Sequence, residues 1–214
     1  MSDVTLYGFA MSTFVRTARM ALHEKGVDYT LKNEMPGSEA LAGLHPFGKI
    51  PIMTHGTDRI FECLGICTYV DGVFDGPLLT PANPVARAHM FQWISVHNDA
   101  VMKPFMAIAR ERMIKPMMMQ EQGDEAIVAE AMPKMVQAVD VLNEALGASD
   151  YLAGPNMSIA DLFVLPVIEY LPPAGCANLL DGRGALKAWA EKMGARDSAI
   201  ATRPQAPDAA VSAA

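Results

Sequence analysis

The sequence predicts an α/β domain followed by a domain built only of helices. Three observations support this prediction: strand and helix patterns alternate over about the first eighty residues, strand patterns stop after Asn83, and 214 residues suffice for two modest domains. We therefore expect a first domain over residues 1–77, a linker over 78–84, a helical domain over 85–201 and a loose, Ala- and Pro-rich tail over 202–214.

The first domain is predicted to run β-α-β and then β-β-α. Its strands are expected at residues 4–7, 27–31, 50–53 and 59–61. Its helices are expected at residues 14–25 and 62–74. The first two strands belong to a βαβ unit and should be parallel, whereas the last two are joined by a short turn and should form a hairpin.

The second domain is predicted to contain four helices. They are expected at residues 84–112, 124–147, 158–170 and 185–193, with a methionine-rich break at 115–119. Asn83 followed by Pro84 is typical of an N-cap and a first helical residue. Ser158 and Asp161 have the spacing of a capping box, and we expect Ser158→Ala to cost about 1 kcal/mol.

Composition and charge exclude several classes of protein. Hydrophobic residues make up 51% and charged residues 19% of the chain, which is typical of a globular protein and not of a disordered one. The formal net charge of −7 would repel nucleic acid and anionic lipid. No targeting segment or membrane-spanning window is visible. We expect a cytoplasmic protein that binds neither nucleic acid nor a membrane.

The cysteines and histidines show no spacing typical of a metal site or a dithiol redox motif. Cys63 and Cys67 lie four residues apart on a predicted helix, and Cys176 is distant in sequence. We expect the cysteines to be packing residues, the five histidines to lie at the surface or its boundary, and no metal to be bound.

Proline opens the third predicted strand of the first domain. A β-α-β-β-α unit with proline at this point is typical of thioredoxin-like domains, in which the proline is cis. Pro51 is therefore predicted to be cis, so that the backbone N–H and C=O of Ile50 can pair with an extended peptide. The alternative is an ordinary trans-proline at a strand start.

Four segments of the chain together resemble cytosolic glutathione transferases. They are residues 6–16 with 21–29, residues 45–51, residues 61–69, and residues 151–154 with 158–161. The second and third are most similar to phi-class and related bacterial members. This resemblance spans nearly the whole chain and implies a cytoplasmic, homodimeric detoxification enzyme that uses glutathione as co-substrate and needs no metal.

The resemblance implies that Ser12, at the start of the first helix, activates the thiol of glutathione, with Thr13 as the fallback. A hydroxyl hydrogen bond and the positive end of the helix would both stabilise the thiolate. Lowering a thiol pKa by two units requires about 3 kcal/mol of preferential thiolate stabilisation. The alternative is that Ser12 only caps the helix.

The implied glutathione-binding residues are Lys49, Ile50, Pro51, Glu62 and Cys63. Glu62 would bind the γ-glutamyl ammonium, and the next residue would bind the carboxylate of the same group. Serine or threonine normally stands there, so Cys63 replaces a strong O–H donor with a weak S–H donor. Lys49 would face the glycyl carboxylate, or alternatively remain an exposed charge.

Two further sets of residues are implied by the resemblance. The electrophile pocket is expected to contain Phe9, Met11, Phe14, Met106, Met113 and Met117. Methionine is soft and adaptable and would form a permissive apolar wall, although packing between helices is the alternative for any one of the sixteen methionines. Phe47 resembles the aromatic residue that some classes insert into the partner subunit, and its alternative is burial in its own domain.

The function that this pattern favours is conjugation of glutathione to a hydrophobic electrophile. The same site would serve a glutathione-dependent isomerase, peroxidase, dehalogenase or lyase, and the absence of cysteine at Ser12 disfavours thiol transfer. A non-catalytic binding or scaffold protein is the third hypothesis, which the unusual Cys63 keeps open.

Overall fold

The computed structural model describes residues 3–204 and divides the chain into two compact units. One unit contains the residues up to Pro77 together with those from Ala195 onward, and the other spans Leu78–Gly194. Most of the tail expected at 202–214 lies outside the described residues.

A four-stranded sheet forms the centre of the first unit. Its strands are β1 (Val4–Tyr7), β2 (Thr30–Lys32), β3 (Ile52–His55) and β4 (Asp58–Phe61). The strand order is β2-β1-β3-β4, with β1 parallel to β2 and antiparallel to β3, and β3 antiparallel to β4. The predicted βαβ unit and hairpin are therefore confirmed, as is the thioredoxin-like order of elements.

The register of the strands places three chain segments at one end of the sheet. Tyr7, the last residue of β1, lies opposite Ile52, the first residue of β3, and Ile52 lies opposite Phe61, the last residue of β4. The loops after β1, before β3 and after β4 therefore emerge together. These loops carry the predicted thiol-activating and glutathione-binding residues.

Helices α1 (Thr13–Glu24) and α2 (Cys63–Val73) pack against each other in the first unit. Strand β2 starts at Thr30, later than the expected residue 27, because the chain first completes the cap of α1. Gly26 has a φ of +65°, and the Val27 N–H donates to Leu22 O at 2.9 Å.

The second unit begins with a nearly continuous helical run. Its parts are α3 (Pro84–Val96), a π-helical segment (His97–Val101), α4 (Met102–Ala109) and a second π-helical segment (Arg110–Met119). The expected break at 115–119 is wrong, because this stretch is helical up to Met119. The Glu111 carboxylate accepts a bond from Lys115 Nζ at 2.6 Å and one from Asp124 N at 2.8 Å, which holds the turn closed.

The first π-helical segment contains a buried histidine. His97 packs edge-on against Phe163, with 5.5 Å between ring centroids, and burial lowers its pKa to about 4. The expectation that the histidines lie at the surface or its boundary is therefore wrong for His97, which is neutral at physiological pH.

Three further α-helices and a short 3-10 helix (Ala177–Leu180) complete the second unit, and the α-helices are α5 (Glu125–Ala148), α6 (Ile159–Tyr170) and α7 (Gly184–Gly194). Helix α6 is buried along most of its length. At its start the Asp161 carboxylate accepts hydrogen bonds from Ser158 N (2.9 Å), Ser158 Oγ (3.1 Å), Leu152 N (3.1 Å) and Trp189 Nε1 (3.0 Å). The predicted reciprocal contact between Asp161 and the Ser158 N–H is present.

A short helix that the sequence did not reveal, α8 (Asp197–Thr202), returns to the first unit and packs on α1. Arg196 makes two bonds to the Glu24 carboxylate, at 2.8 and 2.6 Å, and the buried Arg16 donates to Ala199 O at 3.3 Å. The helical unit therefore ends at Gly194 and not at residue 201. Thr202 is buried in α8, so the expectation of a loose chain from this residue is wrong.

Within residues 3–204, no helix combines the length and apolar character needed to cross a membrane.

Loss of the buried Asp161 carboxylate should destabilise the protein strongly. We expect Asp161→Ala to lower the free energy of unfolding by roughly 3 to 5 kcal/mol, since three N–H donors would be left buried without their acceptor. Urea unfolding measures the change. The exposed Asp181 is the matched control, and Asp181→Ala should stay within about 0.5 kcal/mol. Equal losses in both variants would contradict the assigned role of Asp161.

Candidate functional site

The loop between β1 and α1 approaches the chain just before β3 closely. Gly8 has a φ of +156°, and a Cβ at this position would lie 2.4 Å from Val15 Cγ2 and 3.4 Å from the Ile50 Cβ. Only glycine fits here without displacing a neighbour. The structure therefore brings the Ser12 loop and Ile50 together.

Ser12 is the N-cap of α1. Its half-buried hydroxyl oxygen accepts a hydrogen bond from Val15 N at 3.4 Å, and its own N–H donates to Phe9 O at 2.9 Å. Accepting a bond uses a lone pair and leaves the hydroxyl proton for donation to another group. Capping and thiol activation are therefore compatible at Ser12. Thr13 is the first residue of the helix and is buried, so Ser12 is the more accessible hydroxyl.

The chain enters β3 through a cis peptide bond between Ile50 and Pro51, as the sequence predicted. Lys49 is exposed, Ile50 is half-buried and Pro51 is buried. This order places a cation and a partly accessible backbone segment at the end of the sheet that also carries Ser12.

Glu62 links β4 to α2 in an uncommon backbone conformation, with φ +65° and ψ 130°. Its side chain is 64% exposed, so the carboxylate is open to a ligand. The backbone N–H groups of the first turn of α2 follow directly and have no acceptors within the helix. The segment thus offers a carboxylate for a cation beside a helix start that attracts an anion.

The Cys63 thiol turns into the protein. Cys63 is buried and its Sγ donates to Phe14 O at 3.3 Å. Burial raises the pKa of the Cys63 thiol well above its ordinary value, and the neighbouring Cys67 and Glu62 act in the same direction. The group that Cys63 can offer to a ligand is therefore its backbone N–H.

The predicted electrophile-pocket residues fall into both units. Phe9, Met11 and Phe14 are half-buried near Ser12 in the first unit. In the second unit, Met106 and Met117 are exposed and Met113 is half-buried. The structure therefore leaves these methionine side chains accessible and does not use them as a closed helix-packing core.

A groove of about 640 Å³ lies within the second unit, between α4 with its preceding π-helical segment and α5. The lining of this α4–α5 groove combines apolar residues with the polar ones Asp99, Lys103, Glu130, Lys134 and Gln137, and its apolar part includes Ala100, Pro104, Ala131, Ala138 and Val141. None of the three predicted pocket methionines lines it.

Phe47, in the first unit, is 75% exposed, so its expected alternative of burial in its own domain is wrong.

The sequence also gave no sign of His45 as a site residue. Its ring is buried, with Nε2 3.7 Å from Glu62 Oε1, so the expectation of a surface or boundary histidine is wrong for this residue too.

Within residues 3–204, no group of three or more His, Cys, Asp or Glu side chains is placed to hold a metal ion.

Comparison with known proteins gives a consistent result along the chain. Residues 6–78 match the glutathione S-transferase N-terminal domain, and residues 103–197 match the glutathione S-transferase C-terminal domain. Glutathione S-transferase F10 of Arabidopsis thaliana is 33% identical over 204 residues, covering 90% of this chain and 93% of the relative.

Two solved structures show the same fold at higher coverage. Glutathione transferase F7 from Populus trichocarpa has a TM-score of 0.85 at 26% identity and covers 93% of this chain and 97% of its own. Glutathione S-transferase I, solved with the ligand lactoylglutathione, has a TM-score of 0.86 at 28% identity. The match covers 94% of this chain and 98% of the transferase I chain.

The burial of the cysteines predicts that they react slowly. Cys63, Cys67 and Cys176 are all buried, and burial also raises the pKa of Cys176. Because the thiolate is the reactive form, we expect the native protein to react with a disulfide reagent at least about 100-fold more slowly than free cysteine at pH 7.5. Titration in 8 M urea is the control and should reveal all three thiols. One rapidly reacting thiol in the native protein would contradict the placement of Cys63.

Proposed function

Since the chain belongs to the glutathione S-transferase family, we propose that it transfers glutathione to hydrophobic electrophiles, with Ser12 as the residue that activates the thiol. The observation that carries this proposal is the Ser12 hydroxyl. It caps α1 as an acceptor, keeps its O–H for a hydrogen bond to a ligand, and lies at the sheet end from which the segments carrying Ile50 and Glu62 also emerge.

The Ser12 hydroxyl would donate a hydrogen bond to the sulfur of glutathione and so favour the thiolate, while the thiol proton passes to solvent. Accepting the Val15 N–H polarises the hydroxyl and makes it a better donor. The N–H groups at the start of α1 add positive potential at the same place. The thiolate then attacks the electrophile: a sulfur–carbon bond forms, and with an aryl halide the carbon–halogen bond breaks and halide leaves.

The remaining groups of glutathione match groups near Ser12. We assign the cysteinyl backbone to the N–H and C=O of Ile50, and the γ-glutamyl ammonium to the exposed carboxylate of Glu62. The γ-glutamyl carboxylate is assigned to the Cys63 N–H and the start of α2, and the glycyl carboxylate to Lys49. Residues 1–77 are accordingly the glutathione-binding domain.

The electrophile pocket is proposed to be formed by Phe9, Met11, Phe14, Met106, Met113 and Met117. Their accessibility in the two units supports this assignment. Thioether and aromatic side chains adapt to apolar ligands of different shape, which suits a detoxification enzyme with a broad range of electrophiles.

We also propose that the protein is a homodimer in which Phe47 of each subunit enters the α4–α5 groove of the other. A phenylalanine exposed to 75% in a loop between proline and glycine is costly to leave in water. The groove offers small apolar residues for the ring, beside the charged residues Asp99, Lys103, Glu130 and Lys134 of its lining. The three buried thiols suit a reducing compartment, and we place the dimer in the cytoplasm.

Replacing Ser12 should raise the pKa of bound glutathione. We expect Ser12→Ala to raise this pKa by about one to two units, and therefore to lower conjugation at pH 6.5 by about 10- to 100-fold. The measurement is the pH profile of conjugation to 1-chloro-2,4-dinitrobenzene. Thr13→Ala is the matched control, because its hydroxyl is buried, and it should keep the pKa of the parent.

An unchanged pH profile in Ser12→Ala, with a shifted one in Thr13→Ala, would reassign the thiol activator to Thr13.

Calorimetric titration of the parent with glutathione separates an enzyme from a scaffold, since a scaffold would show no binding. Analysis of the products tests conjugation itself: a transferase consumes glutathione, whereas a peroxidase oxidises it and an isomerase returns it.

Truncation of Phe47 should weaken the dimer. We expect Phe47→Ala to cost about 2 to 4 kcal/mol of association free energy for each Phe47 lost, because a buried aromatic residue typically dominates such a contact. Sedimentation velocity across micromolar concentrations should show a shift to monomer. Ile200→Ala is the control, since Ile200 is also exposed but lies on α8, and it should leave the dimer intact. A monomeric parent would overturn the proposed dimer.

A further inference from the structure

We propose that His45 is a positioning residue that holds the Glu62 carboxylate ready for the ammonium group of glutathione. The inference rests on the proposed role of Glu62 in binding the γ-glutamyl group. It assigns a specific task to a histidine that the sequence placed at the surface or its boundary.

The imidazole ring of His45 is buried against an aromatic neighbour. The centroid of the Phe61 ring lies 4.8 Å away, and that of Phe47 lies 6.1 Å away. On one side of the ring, Nδ1 accepts a hydrogen bond from the Phe47 backbone N–H at 3.0 Å. On the other side, Nε2 lies 3.7 Å from Glu62 Oε1.

These two contacts determine where the ring carries its proton. A neutral imidazole has one nitrogen that accepts and one that donates. Because Nδ1 accepts from Phe47, the proton lies on Nε2, and the Nε2–H faces the Glu62 carboxylate. The Nε2–H thus faces Glu62 Oε1 at 3.7 Å, longer than a hydrogen bond, and attracts the carboxylate electrostatically, while 64% of the Glu62 side chain stays exposed for a ligand.

The backbone around His45 keeps the ring in place. The His45 N–H donates to Leu41 O at 3.2 Å, and the Gly48 N–H donates to His45 O at 3.1 Å. The Gly37 N–H in turn donates to Gly48 O at 2.8 Å. A fixed imidazole limits the rotamers of Glu62 before the ligand arrives, which lowers the entropic cost of binding.

The same ring therefore connects two proposed contacts. Its Nδ1 accepts a bond from the backbone of Phe47, the residue assigned to the dimer interface, and its Nε2–H faces the carboxylate assigned to glutathione. A shift of the Phe47 loop would move the ring and release Glu62. His45 thus ties the affinity for glutathione to the position of the Phe47 loop.

His45→Asn separates these two tasks. An asparagine at this position can still accept from the N–H two residues on, as in an Asx-turn, but its side chain is too short to reach Glu62. We expect the dimer and the thermal stability to be retained, and the affinity for glutathione to fall by about fivefold. Calorimetry on the full-length variant measures this affinity.

A glutathione analogue that lacks the α-amino group tests the route of the effect. Because His45 acts through the contact between Glu62 and the ammonium, the parent and His45→Asn should bind the deamino analogue equally. His55→Asn is the matched control, since His55 contacts Tyr69 at the other end of β3 and should leave both affinities unchanged.

Each outcome has a distinct meaning. Equal affinities of the parent and His45→Asn for glutathione, or an equal loss with the deamino analogue, would overturn the positioning role and leave the proposed function intact. No binding of glutathione to the parent would overturn the proposed function and the inference with it. Nitrogen-15 NMR of the parent provides a test without a variant: a proton on Nε2 of His45 supports the inference, and a proton on Nδ1 overturns it.

Discussion

The antiparallel pairing of β1 with β3 is the constraint on which the site depends. It aligns Tyr7 with Ile52, and the hairpin extends the same row to Phe61. Since side chains alternate along a strand, a slip of β1 by one residue would move the buried Val4 and Leu6 to the opposite face of the sheet. The hydrophobic core therefore fixes the register, and the register brings the starts of α1 and α2 to one end of the sheet.

Two helix starts in one place give the site its electrostatic character. Helix α1 offers a hydroxyl that caps it and can still donate, and α2 offers N–H groups next to the strained Glu62. Both favour anions, and the tripeptide that the family uses carries a thiolate and two carboxylates. The inward turn of the Cys63 thiol leaves this arrangement intact, because the backbone of α2 supplies the donors.

The sequence predicted those parts of the molecule that depend on local patterns. Strand and helix periodicity, the N-cap at Ser12 and the cis bond before Pro51 all came from short segments or from a family motif. The late start of β2 could not be foreseen, because it depends on the cap formed around Gly26. The position of His45 could not be foreseen either, since the contacts of its ring with Phe61 and Glu62 join segments that are brought together only by the fold.

Helix α8 has a consequence for how the protein is made. The contacts between Arg196 and Glu24 join residues 172 positions apart in sequence, and the bond from Arg16 to Ala199 spans 183 positions. During synthesis the helix that begins after Ser12 emerges early, yet its partner leaves the ribosome only after the second unit, Leu78–Gly194, has been translated. The first unit therefore lacks the contacts of α8 until the whole second unit has been translated. It completes its fold only after the helical unit has had time to fold.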